Sequence, residues 1–229
     1  MKRMLVIVLA CLADSVIGVA QQATPSVIKA PTGSVEMKDA AGDMGPISTS
    51  SGSALALDVV LLSIKSDGTR LTMSTTLNGP LSPFATSPVT LLIDVDNKET
   101  TGTKGFAGKP SGFEYKAELA LCIKYTDKTE ACHGGSTGGK PAERYAAINL
   151  QHFKGDSEFG GDTVVDSMGF PGSKASPKTP VTGQIVEASF DYADIKAKPG
   201  QVLRLLARET GGTPKDGDGA FPVVYLTLK

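Results

Sequence analysis

Apolar and polar residues alternate along much of the chain, most clearly from Phe113 to Tyr125. The odd positions of this segment are aromatic or aliphatic, whereas the even positions are Glu, Lys, Ala and Cys. A period of two places successive side chains on opposite faces of a β-strand. We therefore predict a long strand here, with one face in the core and the other facing water.

Shorter segments repeat this pattern between turns. An apolar run at 55–64 precedes Ser66-Asp67-Gly68 and an alternating segment at 71–77, which together predict a hairpin. Other predicted strands lie at 34–38, 89–95, 145–150, 184–190, 202–207 and 221–228, with a short helical turn at 192–197. Because turns rather than helices separate these strands, we expect an all-β fold, an antiparallel β-sandwich with long Gly/Pro-rich loops such as 169–182.

The N-terminal segment differs from the remainder. Basic residues, a short apolar run and small residues before Gln21 are typical of a cleaved secretory signal, which we place at 1–20. Cys11 leaves a lipoprotein cleavage site open as an alternative. We interpret 21–53 as a loosely structured lead-in and 54–229 as the sandwich domain. The expected location is the periplasm or the cell exterior, with no membrane span after signal cleavage.

Composition narrows the classes of partner. The chain has 229 residues, a net charge of −1 and 40% hydrophobic residues, which argues against a nucleic-acid partner and for a globular domain. Sugar-binding surfaces use flat aromatic rings, yet the sequence has no tryptophan. The rings considered as candidate platforms are Tyr145, Phe159, Phe170 and Tyr192, and each of them also fits an ordinary packing role.

Two cysteines follow the predicted signal, Cys122 and Cys132. If the chain folds back about Asp127, these two residues lie opposite each other on an antiparallel pair, close enough for a disulfide. Such a bond forms in an oxidising compartment. The alternative is a metal or haem site with His133, but the sequence has neither zinc-type spacing nor C-x-x-C-H.

The strand at 89–95 ends in a group of oxygen-bearing side chains. Two neighbouring carboxylates repel each other unless positive charge lies between them, and calcium accepts carboxylates, amides, hydroxyls and carbonyls in irregular geometry. We therefore predict a structural calcium site. Its candidate ligands are Asp94, Asp96, Asn97, Thr101 and, at the start of the long strand, Glu114. The alternative is a solvated acidic turn in which Lys98 and Lys104 compensate the charge.

Three segments in order, LLIDVDNKETTG at 91–102, GFEYKAEL at 112–119 and FDYADIKAKPGQVLRLLARE at 190–209, resemble the family 9 carbohydrate-binding modules and the wider group of DOMON-like domains. The resemblance covers roughly residues 50–229. It implies an immunoglobulin-like or jelly-roll sandwich, with structural calcium in some members. Asp94, Asp96, Thr101 and Glu114 fall on the motif positions, although aspartate is commoner at the last of these.

The resemblance also suggests a second function. Some DOMON-like domains bind b-type haem between their sheets, and here Met168 and His152 are the candidate axial ligands, with Met73 and His133 considered beside them. Met73 lies on an apolar strand face, which suits core packing equally well.

A secreted hydrolase is a third alternative. Paired acids for glycoside hydrolysis would come from Asp94, Glu114, Asp216 or Asp218, but the chain has only two histidines and no H-E-x-x-H motif. The favoured interpretation is a non-catalytic secreted binding module with structural calcium, whose partner is an unknown glycan or cell-surface molecule.

Overall fold

The computed structural model describes residues 30–45, 47–49, 52–54, 57–103, 112–132, 139–154, 161–210, 213–214 and 220–229. These residues form strands and one short 3-10 helix. The strands are β1 (Ser34–Lys38), β2 (Met44–Gly45), β3 (Ile47–Thr49), β4 (Gly52–Ala54), β5 (Asp58–Ser66), β6 (Arg70–Asn78), β7 (Thr86–Asp94), β8 (Tyr115–Tyr125), β9 (Glu130–Ala131), β10 (Pro141–Phe153), β11 (Gly161–Asp166), β12 (Lys174–Ala175), β13 (Thr179–Pro180), β14 (Ile185–Asp191), β15 (Val202–Glu209), β16 (Thr213–Pro214) and β17 (Val224–Thr227). The helix, η1, covers Tyr192–Ile195.

Two main sheets carry the fold. The smaller sheet has the strand order β1-β5-β6-β14, and all its pairs are antiparallel. The larger sheet has the order β12-β11-β10-β8-β7-β15-β17, with β9 and β13 as short additions beside β8 and β10. Among the described strand pairs of this sheet, β11–β12 is the parallel one, and a single parallel bridge joins Thr32 to Thr227 of β17. The predicted antiparallel all-β fold is therefore confirmed, while its immunoglobulin-like or jelly-roll type stays a prediction.

The main core lies between these sheets. Leu62, Met73 and Phe190 contribute from the smaller sheet, and Leu119 and Leu205 from the larger one, all at 1% exposure or less. Each such side chain stabilises the fold by about 1.5–3 kcal/mol relative to an exposed position. The apolar positions that alternate along the sequence thus form the inner faces of a sandwich.

The outer face of the larger sheet is also partly buried, so the expected wet face of β8 is wrong along its centre. Ala120 and Cys122 pack there with Cys132, Tyr145 and Ala147. A neighbouring apolar cluster consists of Leu92, Phe113, Phe153 and Leu206. The small apolar residues at even positions of β8 pack against Cys132, Tyr145 and Ala147, whereas Lys116 and Glu118 on the same face stay half-exposed and form an ion pair at 2.9 Å.

Several boundaries differ from the sequence-based expectation. Strand β1 lies inside the predicted lead-in yet pairs with β5, so this part of the lead-in belongs to the smaller sheet. Strand β11 lies between the candidate haem ligands His152 and Met168, and it pairs with β10. The helical turn expected at 192–197 is confirmed as η1. The predicted signal, with Cys11, lies outside the described residues.

The predicted disulfide is present. Cys122 and Cys132 have an S–S distance of 2.07 Å and a Cα–Cα distance of 4.1 Å. The register pairs Ile123 with Ala131 and Lys124 with Glu130, so the chain reverses about Asp127 as the sequence predicted. In the part of the chain that the structure describes, no helix has the length and apolarity that crossing a bilayer requires.

Candidate metal centre

The predicted ligands converge at the end of β7 and the start of β8. One carboxylate oxygen from each of Asp94, Asp96 and Glu114 lies within 4.8 Å of the others. Thr101 lies beside them, with its Oγ1 2.9 Å from a carboxylate oxygen of Asp96 and 2.8 Å from a carboxylate oxygen of Glu114. We call Asp94, Asp96, Thr101 and Glu114 the loop cluster.

Asp94 is the buried member of the loop cluster. It has no solvent exposure, its Oδ1 accepts the Asn97 N–H at 2.6 Å, and its Oδ2 accepts the Arg204 Nε–H at 2.7 Å. Burial raises the pKa of the Asp94 carboxyl, and the neighbouring guanidinium of Arg204 opposes that rise. A cation would therefore reach Asp94 through lone pairs that these two hydrogen bonds leave free.

Glu114 connects the start of β8 to the end of β7. Its Oε2 accepts the Val95 N–H at 2.7 Å, and its backbone N–H donates to the Ile93 carbonyl at 3.0 Å. Burial raises the pKa of the Glu114 carboxyl, because a charged carboxylate loses hydration there. The carboxylate is thus held in one orientation by the strand that carries the aspartates.

Oxygen atoms are crowded around Thr101. Its Oγ1 lies 2.8 Å from Glu114 Oε1, 2.9 Å from Asp96 Oδ1 and 2.9 Å from the Lys98 carbonyl oxygen. A hydroxyl has one hydrogen to donate, so it satisfies one of these three contacts. The other two contacts bring oxygen lone pairs together, which a proton or a cation between the oxygens would relieve.

The charges of the side chains at the loop cluster also favour a bound cation. The three carboxylates face one buried guanidinium, that of Arg204, which leaves two negative charges. Lys98 reaches Asp96 only at 3.8 Å, and the Lys98 side chain is 66% exposed, so water screens this pair. A divalent cation matches the remaining charge.

Two glycines let the surrounding segments approach closely. Gly102 has φ +66°, and a Cβ there would come within 2.2 Å of the Phe113 carbonyl oxygen. Gly112 has φ +87°, and its Cβ would come within 2.4 Å of the Lys98 carbonyl oxygen. Glycine at both positions therefore permits the loop after β7 to pack against the start of β8.

Asn97 supports the loop by other contacts. It adopts a left-handed conformation with φ +55°, and its Nδ2–H donates to the Val202 carbonyl at 2.6 Å. With its backbone N–H bound to Asp94, Asn97 ties the loop to both β7 and β15. Its role as a calcium ligand stays a prediction.

The donor set fits calcium. A cavity of about 230 Å³ lies beside Asp96, Thr101 and Glu114, with His152 and Lys196 also in its lining. Calcium takes about six to eight oxygens at about 2.3–2.6 Å, from carboxylates, hydroxyls, carbonyls and water. The loop cluster with the Lys98 carbonyl supplies the protein oxygens, and the cavity has room for water ligands.

The two candidate haem ligands lie at different places. The His152 ring contacts the Tyr115 ring at 4.8 Å between centroids and lines the cavity beside Glu114. Met168 is 46% exposed and follows Ser167, whose N–H donates to Asn149. Asn149 lies three positions from His152 on β10, so the two candidate ligands are near different residues of that strand, and the haem interpretation stays a prediction. Met73, also considered, is fully buried in the main core.

The rings considered for sugar binding are mostly covered. Tyr145 is 7% exposed and has the Lys178 amine 4.7 Å from its ring centroid, and Tyr192 is 4% exposed. Phe170 is 61% exposed. Phe159 lies outside the described residues, as do His133, Lys104, Asp216 and Asp218.

One serine occurs in a G-x-S-x-G spacing, Ser136 within 134–138, outside the described residues. A nucleophile elbow places such a serine between a strand and a helix. Here the segment connects β9 to β10, and both flanking elements are strands.

Sequence analysis missed Arg204, the buried cation of the site. It lies directly across from Asp94 in the β7–β15 register, 5% exposed, with its guanidinium 4.8 Å from the Phe113 ring centroid. It also approaches Glu99 at 3.3 Å. A single charge within the apolar run VLRLLA was the available signal, because a buried arginine requires an acidic partner.

Comparison of the chain with protein-family models, with curated proteins and with solved structures finds no match.

Proposed function

We propose that this chain is a non-catalytic, exported β-sandwich module in which calcium at the loop cluster fixes the loop after β7 against the start of β8. The crowding of oxygens around Thr101 is the observation that carries the proposal, since one hydroxyl proton cannot serve three acceptors. Bound calcium neutralises the remaining charge and holds the neighbouring loop surfaces in a fixed arrangement for a partner.

Export has separate support. The Cys122–Cys132 bond links two buried cysteines, and disulfides persist in oxidising compartments. The mature protein then works in the periplasm or outside the cell, where free calcium reaches the loop cluster. Mass spectrometry of the protein recovered from those fractions tests this point. A chain that retains residues 1–20 and is confined to the cytoplasm contradicts it.

The partner belongs to the class of glycans or cell-surface molecules. Among the described residues, the large apolar side chains that are exposed are Met168, Phe170, Ile185 and Val223. Phe170 is the one exposed aromatic in this set, and it presents a ring to a partner. A glycan array probed with the wild type and with Phe170→Ala tests sugar binding, and equal, background signals from both contradict it.

Calcium-dependent stability tests the function at the loop cluster. A ligand present at a hundredfold excess over its Kd stabilises a protein by about 2.7 kcal/mol, which for a domain of this size raises Tm by roughly 5–10 °C. We expect calcium, relative to chelator, to raise Tm in calorimetric melts by at least this amount, and the rise to be smaller by about this amount in Glu114→Gln.

The matched control is Glu118→Gln. Glu118 lies on the same face of β8 and pairs with Lys116 away from the loop cluster. This variant keeps the calcium-induced rise. Equal melts of the wild type in calcium and in chelator, or an equal rise in the Glu114 variant, overturn the proposal.

A further inference from the structure

A second group of carboxylates lies where the two sheets meet, near the other end of β15. Asp58 begins β5 of the smaller sheet, Glu209 ends β15 of the larger sheet, and Asp39 and Asp43 follow β1. Carboxylate oxygens of Asp39, Asp43 and Glu209 lie within 4.8 Å of one another. We call Asp39, Asp43, Asp58 and Glu209 the inter-sheet cluster.

Glu209 points into the sandwich. It is 5% exposed and alternates with the core residues Leu205 and Ala207 on the inner face of β15. Its Oε1 accepts the Val59 N–H of the opposite sheet at 3.1 Å, whereas its Oε2 is buried without a hydrogen-bond partner among the described residues. An unpaired buried acceptor of this kind is costly unless something positive meets it.

Asp58 and Asp43 also have buried carboxylate oxygens. Asp58 is 5% exposed, and its Oδ2 accepts hydrogen bonds from the Gly42 N–H at 2.6 Å and from Asn78 Nδ2 at 2.8 Å. The Oδ1 atoms of Asp58 and Asp43 are both buried and receive no hydrogen bond from an N–H group of the described residues, and the two carboxyl groups are close enough to share one proton. Glu209 Oε2 has no such neighbour to share a proton with among its hydrogen-bond contacts to the described residues.

The electrostatics agree with this geometry. Burial, followed by the repulsion of Asp39, Asp43 and Asp58, raises the pKa of Glu209 to about 8. Burial and the neighbouring Asp58 also raise the pKa of Asp43. Burial acts in the same direction on Asp58, but hydrogen bonds from Asn78 and Gly42 hold the pKa of Asp58 below its usual value. Neighbouring carboxylates in low dielectric repel one another strongly, so the cluster takes up either protons or a cation.

From the convergence of the Asp39, Asp43 and Glu209 carboxylates and the buried Oε2 of Glu209, unpaired among the described residues, we infer a second divalent-cation site that joins the two sheets, with calcium as the fitting ion, these three carboxylates as its ligands and Asp58 beside them. Carboxylate oxygens are its protein donors, and hard oxygen donors of this kind suit calcium. The site links β5 to β15, together with the segment after β1, and so closes one end of the sandwich.

This second site is independent of the loop cluster. Arg204 and Glu209 are five positions apart on β15, which places the two sites roughly 17 Å apart. Their side chains also project from opposite faces of the larger sheet. Energetic effects at such separations add within about 0.5 kcal/mol, or about twofold in affinity.

Calcium stoichiometry of the purified protein, measured by equilibrium dialysis with elemental analysis, tests the inference. We expect two calcium ions in the wild type and one in Asp39→Asn/Asp43→Asn, whose residues are half-buried and tolerate substitution better than Glu209. Asp96→Asn, in the loop cluster, also retains one ion. Titration calorimetry should find the affinity of each retained site within about twofold of its wild-type value.

The outcomes separate the two sites. A single wild-type ion that Asp96→Asn removes and Asp39→Asn/Asp43→Asn keeps overturns the second site and leaves the loop cluster intact. A single wild-type ion that Asp39→Asn/Asp43→Asn removes and Asp96→Asn keeps supports the second site and contradicts the proposed function. Two ions retained in Asp39→Asn/Asp43→Asn, or an absence of calcium binding by the wild type, overturns the inference.

Discussion

The loop cluster and the inter-sheet cluster lie near opposite ends of β15 and differ in how their negative charge is compensated. Asp94 has the buried Arg204 directly across the strand pair, at 2.7 Å. Glu209 has three carboxylates as neighbours and one oxygen without a partner among the described residues. We expect a divalent cation to offset the two negative charges that Arg204 leaves at the first cluster, and two of the four carboxylate charges at the second.

The two clusters also connect different parts of the fold. The loop cluster joins the end of β7 to the start of β8 within one sheet. The inter-sheet cluster joins β5 to β15, which belong to different sheets. Cation binding at the first should order a loop, and cation binding at the second should resist separation of the sheets.

Removing Arg204 should have the largest effect on stability. Arg204→Met leaves the carboxylate of Asp94 buried without its partner, and breaking a buried pair this way costs about 3–5 kcal/mol. Urea denaturation in chelator measures the loss. Lys124→Met, at a half-exposed ion pair with Glu143, is the control and should cost less than about 1 kcal/mol. Similar losses in the two variants would contradict the assigned role of Arg204.

Removing the disulfide should cost about 3 kcal/mol, and equally in calcium and in chelator. Cys122 and Cys132 are 10 residues apart, and closing a loop of that length constrains the unfolded chain by about this amount. The measurement is denaturation of Cys122→Ala/Cys132→Ala under both conditions. A loss that depends on calcium would mean that the disulfide is coupled to one of the two clusters.

The close approach of Gly102 to Phe113 should affect calcium affinity at the loop cluster. Gly102→Ala adds a steric conflict with the Phe113 carbonyl oxygen, worth about 1–3 kcal/mol, to the cost of a positive φ. Gly183→Ala is the matched control, because Gly183 has φ +62° and nothing within 4 Å of its added Cβ. Calcium affinity should fall in the first variant only, and equal affinities would show that this close approach does not position the ligands.

The inter-sheet cluster should control the pH dependence of the chelated protein. With a folded pKa of about 8, against an ordinary value of 4.5, Glu209 holds a proton that the unfolded chain has released. The free energy of unfolding therefore falls as pH rises through this window, by about 1 kcal/mol per pH unit. Melts between pH 5.5 and 8 should show a shallower slope in Glu209→Gln, and an unchanged slope would assign the proton elsewhere.

Local pattern predicted the parts of the structure that depend on neighbouring residues. The reversal about Asp127 predicted the Cys122–Cys132 bond because hairpin register follows from sequence symmetry. The carboxylates after Ile93 predicted a convergence with Glu114 because two adjacent strand ends share an edge. The expected wet face of β8 was wrong because Ala120 and Cys122 pack against Cys132, Tyr145 and Ala147, and the periodicity of β8 itself does not describe those contacts.

The remaining features depend on contacts between distant positions. Val59 and Glu209 are 150 positions apart, and the sequence has no pattern that brings them together. The contact of Arg204 with Asp94 could not be predicted from local sequence either, because it follows from the pairing of β7 with β15. Buried charges in apolar runs, such as Arg204 and Asp58, were the usable signal for both clusters.

The most direct test is an anomalous difference map from crystals grown with calcium. We predict a peak at about 2.3–2.6 Å from oxygens of Asp96, Thr101 and Glu114, within reach of the Lys98 carbonyl. A map without that peak, in which these oxygens contact only water or the Lys98 amine, would contradict the loop cluster as a calcium site.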